Sequence, residues 1–204
     1  MRETVVTDET LVVSFAPAWP LETERLVLRP FEQSDLDALY EIHSDEQTAR
    51  YLYNEPRSRE QVEELLERKI AGASIRAEGD WLSGAAVLRA TGEVVCDVVL
   101  LWKSEAHKQG EIGYIAHPAH HGRGYATEAA RPLLAVAFET LGLHRVVGRL
   151  DPRNVASARV LEKLGMRREA HFVENEWIKG EWQGEVVYAM LAREWTSRPS
   201  SSKT

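Results

Sequence analysis

A glycine-containing turn between a strand-like run and a helical stretch constrains the fold of this chain most tightly. Residues 117–126 read His-Pro-Ala-His-His-Gly-Arg-Gly-Tyr-Ala, and they follow the extended run Glu111–Ile115 and open a long helical pattern. Gly122 and Gly124 permit a tight turn with unobstructed N–H groups, and the helix start adds unpaired N–H groups and a positive dipole end. The turn therefore predicts a phosphate or pyrophosphate site, with Arg123 as an adjacent positive charge.

Two well-known phosphate-binding loops do not match this turn. No Gly-Lys-Ser or Gly-Lys-Thr follows the glycines, which excludes a Walker loop, and the Gly-x-Gly-x-x-Gly spacing of dinucleotide-binding folds is absent. For the glycines taken alone, a turn that merely joins a strand to a helix stays an open alternative.

The rest of the chain alternates between extended and helical patterns without strict strand–helix–strand order. Ser58 opens a capping-box pattern, Thr91-Gly92 marks a hairpin-like turn, and Asn154 can cap a short helix that ends at Gly165. This order predicts an α/β chain with a mixed, mostly antiparallel sheet and helices on its faces.

Composition limits the partners and the compartment. The chain carries 25 Lys+Arg against 32 Asp+Glu, a formal charge of −7, which argues against sequence-independent binding of nucleic acid. No apolar run approaches the ~18–20 residues of a membrane span, and the N-terminus lacks the layout of a secretory signal. With Cys96 as its single cysteine, the chain has no disulfide framework. We expect a cytoplasmic protein with one domain over residues 20–195, an N-terminal extension over 1–19 and a disordered Ser-rich tail over 196–204.

A second motif follows the next predicted strand, and together the two motifs resemble a known family. The sequence His-Gly-Arg-Gly-Tyr-Ala over 121–126 is similar to the acetyl-CoA turn Gln/Arg-x-x-Gly-x-Gly/Ala of the GCN5-related N-acetyltransferases (GNAT). The family's Asn-x-x-Ser helix with its Lys-x-Gly-Phe ending is matched by Asn154, Ser157, Lys163, Gly165 and Met166. The segments Leu21–Pro30 and Trp182–Leu191 resemble the branch that acetylates ribosomal-protein N-termini. The chain departs from the pattern at His121 (usually Gln or Arg), Met166 (Phe) and Gly184 (often Asp).

The resemblance implies a GNAT fold of about seven strands and about four helices, splayed at the cofactor site between the strand Glu111–Ala116 and its neighbour. It implies acetyl-CoA as co-substrate and no metal. The residues expected to bind acetyl-CoA are Ile115, His117, His121, Gly122, Arg123, Gly124, Tyr125, Ala126 and Asn154.

Three side chains are candidates for the chemistry that the resemblance implies. Glu176 is the first candidate for the base, acting through water, and Glu111 is the second. Ser157 is the candidate acid for the leaving thiolate, or a hydrogen-bond donor to it. The alternatives are a solvated glutamate for Glu176, an ion pair with a nearby arginine for Glu111, and a hydrogen bond to its own helix for Ser157.

The expected activity is acetyl transfer from acetyl-CoA to a primary amine by direct attack, with a protein or peptide N-terminal amine as the leading acceptor. A small-molecule amine acetyltransferase, acting on aminoglycosides or polyamines, is one alternative, and a non-catalytic acyl-CoA-binding module is another. His117, His120 and His121 crowd together, but no carboxylate or cysteine completes a metal-binding spacing. The resembled branch also suggests a homodimer.

Overall fold

The computed structural model describes residues 15–196, so most of the expected N-terminal extension and nearly all of the expected tail lie outside the described residues. The helices are α1 (Leu36–Ser44), α2 (Glu46–Ala49), α3 (Arg59–Ala71), α4 (Tyr125–Ala135), α5 (Val155–Leu164) and α6 (Ala192–Thr196). The strands are β1 (Leu21–Glu22), β2 (Leu26–Arg29), β3 (Trp81–Leu88), β4 (Val94–Ser104), β5 (Gln109–Ala116), β6 (Arg145–Leu150), β7 (Arg167–Ile178) and β8 (Glu181–Leu191). No helix within this range is long and apolar enough to cross a membrane.

The strands form one sheet in the order β1-β2-β3-β4-β5-β6-β8-β7. In the part of the chain that the structure describes, only the β5–β6 pair is parallel, and every other neighbouring pair is antiparallel. The expected mixed, mostly antiparallel architecture is confirmed. Residues 15–196 contain eight strands and six helices, where about seven and about four were expected, because the two-residue β1 and the short α2 and α6 give little signal in the sequence.

Helices cover the two faces of the sheet, and each face has its own apolar core. On one face, α1 and α3 bury Leu39, Ile42, Val62 and Leu66 with Phe31, while on the other α4 and α5 bury a larger cluster that includes Leu133, Leu134, Leu161 and Leu164. Full burial of one such side chain contributes roughly 1.5–3 kcal/mol. The two cores fix the sheet between two helical layers.

Strand β5 alternates between these two cores. Ile115 packs against the core of α1 and α3, whereas Ile112 and Tyr114 belong to the core of α4 and α5. Because side chains alternate along a strand, Glu111 points to the same face as Ile115. The antiparallel partner of Ile115 on β4 is Asp97, so its side chain also lies on the face of α1 and α3.

Local signals set the helix boundaries. The Ser58 side chain accepts from the N–H of Gln61, whose side chain returns to the Ser58 N–H, and Asn154 caps α5 by accepting from the Ser157 N–H at 3.0 Å. Pro132 lies inside α4 and has no N–H for the carbonyl of residue 128. The regular helix ends at Ala135 and continues as a π-helical turn, Val136–Thr140.

Candidate active site

Strands β5 and β6 separate part-way along their length. They pair at Gln109↔Arg145, Gly110↔Val146 and Glu111↔Val147, and the ladder ends there. The expected splay is therefore confirmed, and it begins directly after Glu111. Two glycines, Gly113 and Gly148, lie at the opening. Neither position has room for a side chain, because a Cβ at Gly113 would lie 2.9 Å from Val99 and one at Gly148 would lie 2.8 Å from Leu161.

A cavity of about 270 Å³ runs through this opening from one face of the sheet to the other. On the α4–α5 face it is lined by Tyr114, Asn154 and Ser157, and on the α1–α3 face by residues that include His43, Lys69 and Asp97. A passage through the sheet allows two molecules to meet from opposite sides.

The register of β5 decides which backbone groups face the opening. The His117 N–H donates to the Val95 carbonyl at 2.9 Å, and the hydrogen-bonding direction alternates along an antiparallel strand. The N–H of Ile115 therefore also points to β4, while those of Tyr114 and Ala116 point toward β6 and the opening. The backbone N–H groups that face the opening are therefore those of Tyr114 and Ala116, and the expected acetyl-CoA contacts of Ile115 and His117 stay a prediction.

The glycine turn has the geometry of an anion site. Gly122 and Gly124 have φ values of 76° and 82°, a left-handed conformation that glycine adopts without strain. Gly124 is the N-cap of α4 and provides no side-chain cap, and the first intrahelical bond runs from the Glu128 N–H to the Gly124 carbonyl. The N–H groups of Tyr125 and Ala126 precede that bond and so are available to an anion.

Arg25 braces this turn, and the sequence motifs did not indicate its role. Its backbone N–H and Nε both donate to the Glu128 carboxylate at 2.7 Å, its Nη1 donates to the Arg123 carbonyl at 3.1 Å, and its guanidinium lies 4.6 Å from the centre of the Tyr125 ring. Thr23 Oγ1 donates to the same carboxylate at 2.6 Å. The β1–β2 turn thereby fixes the first turn of α4.

A groove of about 950 Å³ leads away from Gly124 along α4. Its wall includes the β1–β2 turn, Thr127, Arg131 and, from the end of α5, Lys163. The long open groove is continuous with the turn. Its charged lining residues are the cations Arg25, Arg131 and Lys163 and the carboxylates Glu22, Glu24, Glu128 and Glu139. It can hold an extended ligand whose phosphates reach the α4 N-terminus.

The histidines beside the turn make structural contacts. His117 Nδ1 accepts from the Ala119 N–H at 3.2 Å and its Nε2 lies 2.9 Å from Glu41 Oε2, so both ring nitrogens have protein partners. The side chain of His121 is exposed and its Nε2 donates to the Ala116 carbonyl at 3.1 Å. Among residues 15–196, no group of three or more His, Cys, Asp or Glu side chains has the arrangement of a metal site.

Ser157 is joined to Tyr114 at the α4–α5 end of the cavity. The Tyr114 hydroxyl lies 2.9 Å from the Ser157 carbonyl and 3.1 Å from Ser157 Oγ. Burial raises the pKa of Tyr114, so its hydroxyl stays protonated and can donate. With Tyr114 donating to either oxygen, the Ser157 hydroxyl can turn its own proton into the cavity.

Glu111 lies on the other face, where the ladder stops. Burial raises its pKa above the ordinary value, while Lys103 and Arg149 oppose that rise. The Glu111 carboxylate is 3.8 Å from Lys103 Nζ and 3.5 Å from Arg149 Nε, and Arg149 Nη1 also donates to both Glu185 oxygens, at 3.1 and 2.9 Å. A raised pKa suits a group that takes up a proton near neutral pH.

Glu176 is partly exposed on β7 and forms a hydrogen bond with the side chain of Tyr53. Partial burial and a hydrogen bond to Glu176 raise the pKa of Tyr53 to about 12, and the negative charges of Glu185 and Glu111 act in the same direction. The negative charges of Glu111, Glu176 and Glu185 thus all act on the Tyr53 hydroxyl. The structure explains why glycine stands at position 184, where the family pattern often has Asp. A Cβ there would lie 2.6 Å from the Phe172 carbonyl, so a side chain does not fit.

Comparison with known proteins identifies the family. A family model described as acetyltransferase (GNAT) domain matches residues 25–167. The chain belongs to the GNAT family. The uncharacterized N-acetyltransferase YnaD of Bacillus subtilis (strain 168) is 30% identical over 175 residues, which cover 86% of this chain and 98% of the relative. A GNAT-family acetyltransferase structure from Bacillus anthracis superposes with a TM-score of 0.77 at 30% identity and covers 86% of this chain and 99% of that one.

Some relatives of this GNAT chain are named for a specific acceptor. The spermidine N(1)-acetyltransferase of Escherichia coli (strain K12) is 25% identical over 160 residues, covering 78% of this chain and 82% of that protein. The chain is an acetyl-CoA-dependent N-acetyltransferase, and the comparisons do not single out the ribosomal-protein branch.

Proposed function

We propose that this GNAT enzyme transfers the acetyl group of acetyl-CoA to a primary amine in a ternary complex, with a protein or peptide N-terminal amine as the leading acceptor. The observation that carries the proposal is the cavity through the splayed sheet, which Ser157 lines on one face, while Glu111 lies on the other face where the β5–β6 ladder ends. Two substrates that enter from opposite faces can react directly, without a covalent intermediate on the protein.

Acetyl-CoA supplies the acetyl group as a thioester, and the residues present fit this co-substrate. The N–H groups at the start of α4, with Arg123, bind its diphosphate, and Arg131 and Lys163 attract the nucleotide end along the groove. The Ala116 N–H holds the extended arm. The Tyr114 N–H donates to the carbonyl oxygen as negative charge develops there.

The acceptor amine must lose a proton, and Glu176 is the first candidate to take it through water. We expect Glu176→Gln to lower kcat by about 100-fold and to flatten its rise with pH, because the general base is lost. The affinity for acetyl-CoA should stay near normal, since Glu176 is distant in sequence and in sheet position from the glycine turn. Initial rates over a pH series and calorimetric titration of acetyl-CoA measure both quantities.

The matched variant is Glu111→Gln, which removes the second candidate on the same face. A wild-type pH profile in Glu176→Gln together with a flattened one in Glu111→Gln would transfer the role to Glu111. Its raised pKa and its position at the end of the β5–β6 ladder make Glu111 the natural second candidate.

The leaving thiolate needs a donor, and Ser157 fills this role with Tyr114 behind it. We expect Ser157→Ala to reduce kcat by about 10-fold or more, the scale of one hydrogen bond to a charged group. Tyr188→Phe is the control, because the Tyr188 hydroxyl donates to Glu162 of the same helix at 3.0 Å and does not line the cavity. Wild-type kinetics in Ser157→Ala would show that Ser157 has no catalytic role and only a structural one in the first turn of α5.

A polyamine is the second candidate acceptor, favoured by the similarity to spermidine acetyltransferases and by the carboxylates around Tyr53. Two of those three carboxylates are compensated, however, since Arg149 and Lys103 pair with Glu111 and Glu185. Because little negative charge around Tyr53 is left uncompensated, this surface suits an acceptor with one amine better than a polycation.

Release of free thiol from acetyl-CoA tests the function directly. The acceptors are N-terminal peptides, spermidine and an aminoglycoside, each compared with a reaction without acceptor. Peptide-dependent release supports the leading acceptor, spermidine-dependent release supports the second, and tight acetyl-CoA binding without any release would identify a binding module. A cytoplasmic location, where acetyl-CoA is at hand, and a homodimer are parts of the same proposal.

A further inference from the structure

A buried polar cluster lies on the acceptor side of the cavity, and the proposed mechanism does not use it. His43 of α1, Lys69 of α3 and Asp97 of β4 are each less than 10% exposed, and all three line the cavity. Lys69 Nζ donates to Asp97 Oδ1 at 2.7 Å, and His43 Nε2 lies 3.0 Å from Asp97 Oδ2. We name these three residues the buried triad.

The buried triad has hydrogen-bonding groups without a partner. Burial alone would raise the pKa of Asp97, but the Lys69 charge and the His43 hydrogen bond outweigh it and lower that pKa. Asp97 is therefore an ionised acceptor, and His43 Nε2 must carry the proton of their bond. His43 Nδ1 is buried without a partner among residues 15–196, and in the neutral ring with its proton on Nε2 this nitrogen carries a lone pair.

Lys69 has a complementary unused group. Within residues 15–196 its ammonium contacts Asp97 Oδ1 and, at 3.4 Å, Ser83 Oγ, with the Phe31 ring centre 5.3 Å away. An ammonium has three N–H donors, so one remains for a ligand. Burying an ion pair of this kind is costly unless its remaining polar groups also find partners.

We propose that the buried triad is the acceptor-recognition subsite, and that it binds an amine whose neighbouring carbon carries a carbonyl group. The remaining Lys69 N–H donates to the carbonyl oxygen, and the lone pair of His43 Nδ1 accepts from the amine. An α-amino carbonyl group carries one donor and one acceptor on neighbouring atoms, which matches in number and kind the open Lys69 N–H and the open His43 Nδ1. A protonated polyamine presents donors only, and a buried ammonium repels it. The inference rests on the proposed acetyl transfer and specifies its acceptor.

Alaninamide and isopropylamine form the matched acceptor pair, because they differ in a carboxamide that replaces a methyl group. We measure kcat/KM for each by thiol release, corrected for the unprotonated fraction of the amine, and compare the alaninamide/isopropylamine ratio between variants. In the wild-type protein the ratio should exceed about 10, the scale of one charge-assisted hydrogen bond. Lys69→Met should bring it close to one.

Lys69→Met leaves Asp97 unpaired, so the double variant Lys69→Met/Asp97→Asn is the second test, since it removes both charges at similar volume. Lys108→Met, in the exposed turn before β5, is the control and should keep the wild-type ratio. Calorimetric titration of alaninamide in the presence of CoA gives a readout without turnover, and binding should weaken about 10-fold in the double variant.

The outcomes separate this inference from the proposed function. A wild-type ratio near one, or a ratio that Lys69→Met leaves unchanged, overturns the subsite while acetyl transfer stands. Faster turnover of spermidine than of alaninamide overturns it as well. Absence of thiol release with every amine would instead overturn the proposed function itself.

Discussion

Replacing Gly124 with valine should abolish measurable binding of acetyl-CoA. Gly124 has a φ of 82°, which a β-branched residue does not adopt without strain, and its nearest contact for an added Cβ is Arg25 Nη2 at 3.6 Å. The surroundings therefore leave space for the side chain, and the loss comes from the backbone. When Gly124 turns to a negative φ, the N–H groups at the start of α4 no longer converge on the diphosphate. Losing two such bonds costs about 3–6 kcal/mol, or roughly 100- to 10⁴-fold in affinity.

Calorimetric titration of acetyl-CoA measures the effect, and Gly92→Val is the matched control. Gly92 lies in the β3–β4 turn with a φ of 78° and nothing within 4 Å of an added Cβ. Both variants introduce the same kind of backbone strain, but only one touches the anion site. Wild-type affinity in Gly124→Val would refute the site, and equal losses in both variants would point to general destabilisation.

Asp97→Ala should strongly destabilise the fold. It leaves the Lys69 ammonium buried without its 2.7 Å partner and His43 Nε2 without an acceptor. Removing one member of a buried ion pair typically costs about 3–5 kcal/mol. For a chain of this size that corresponds to roughly 6–20 °C in Tm, measured by calorimetry or circular dichroism.

The double variant Lys69→Met/Asp97→Asn separates charge from packing, and it should unfold within about 1–2 kcal/mol of the wild type because no buried charge is left unpaired. The pH dependence has a definite sign. The folded pKa of Asp97 is lowered, so its contribution is complete above the unfolded value of about 3.9 and is lost as the pH falls through the lower folded value. A double variant as unstable as Asp97→Ala would contradict this account.

Features that depend on a few neighbouring residues could be predicted from the sequence. The capping box at Ser58, the cap at Asn154 and the left-handed glycines at 122, 124 and 165 are all found where the local pattern indicates them. In each case the side chain or the missing Cβ acts on backbone within three residues, so no tertiary information is needed.

Features that depend on pairing between distant segments could not be predicted. The outward direction of the Tyr114 and Ala116 N–H groups follows from the bond of the His117 N–H to Val95, and a single-residue change of register would reverse it. Asp97 stands in an otherwise apolar strand pattern, and its partners His43 and Lys69 come from two helices far away in sequence. Only the folded sheet brings these three side chains together. The roles of Glu176, Glu111 and Ser157 stay predictions that the kinetic variants will test.

With acetyl-CoA bound in the opening as proposed, the short β5–β6 ladder ties the stability of this protein to its co-substrate. Three residue pairs join β1–β5 to β6–β8, so the Tyr114 and Ala116 amides find no partner on β6. An extended, amide-bearing arm in the opening would form the hydrogen bonds with β5 that β6 does not form there. Folding and binding then draw on the same hydrogen bonds. The free energy of unfolding consequently rises with the concentration of free acetyl-CoA, and the cell's acetyl-CoA level becomes a determinant of how much of this enzyme persists.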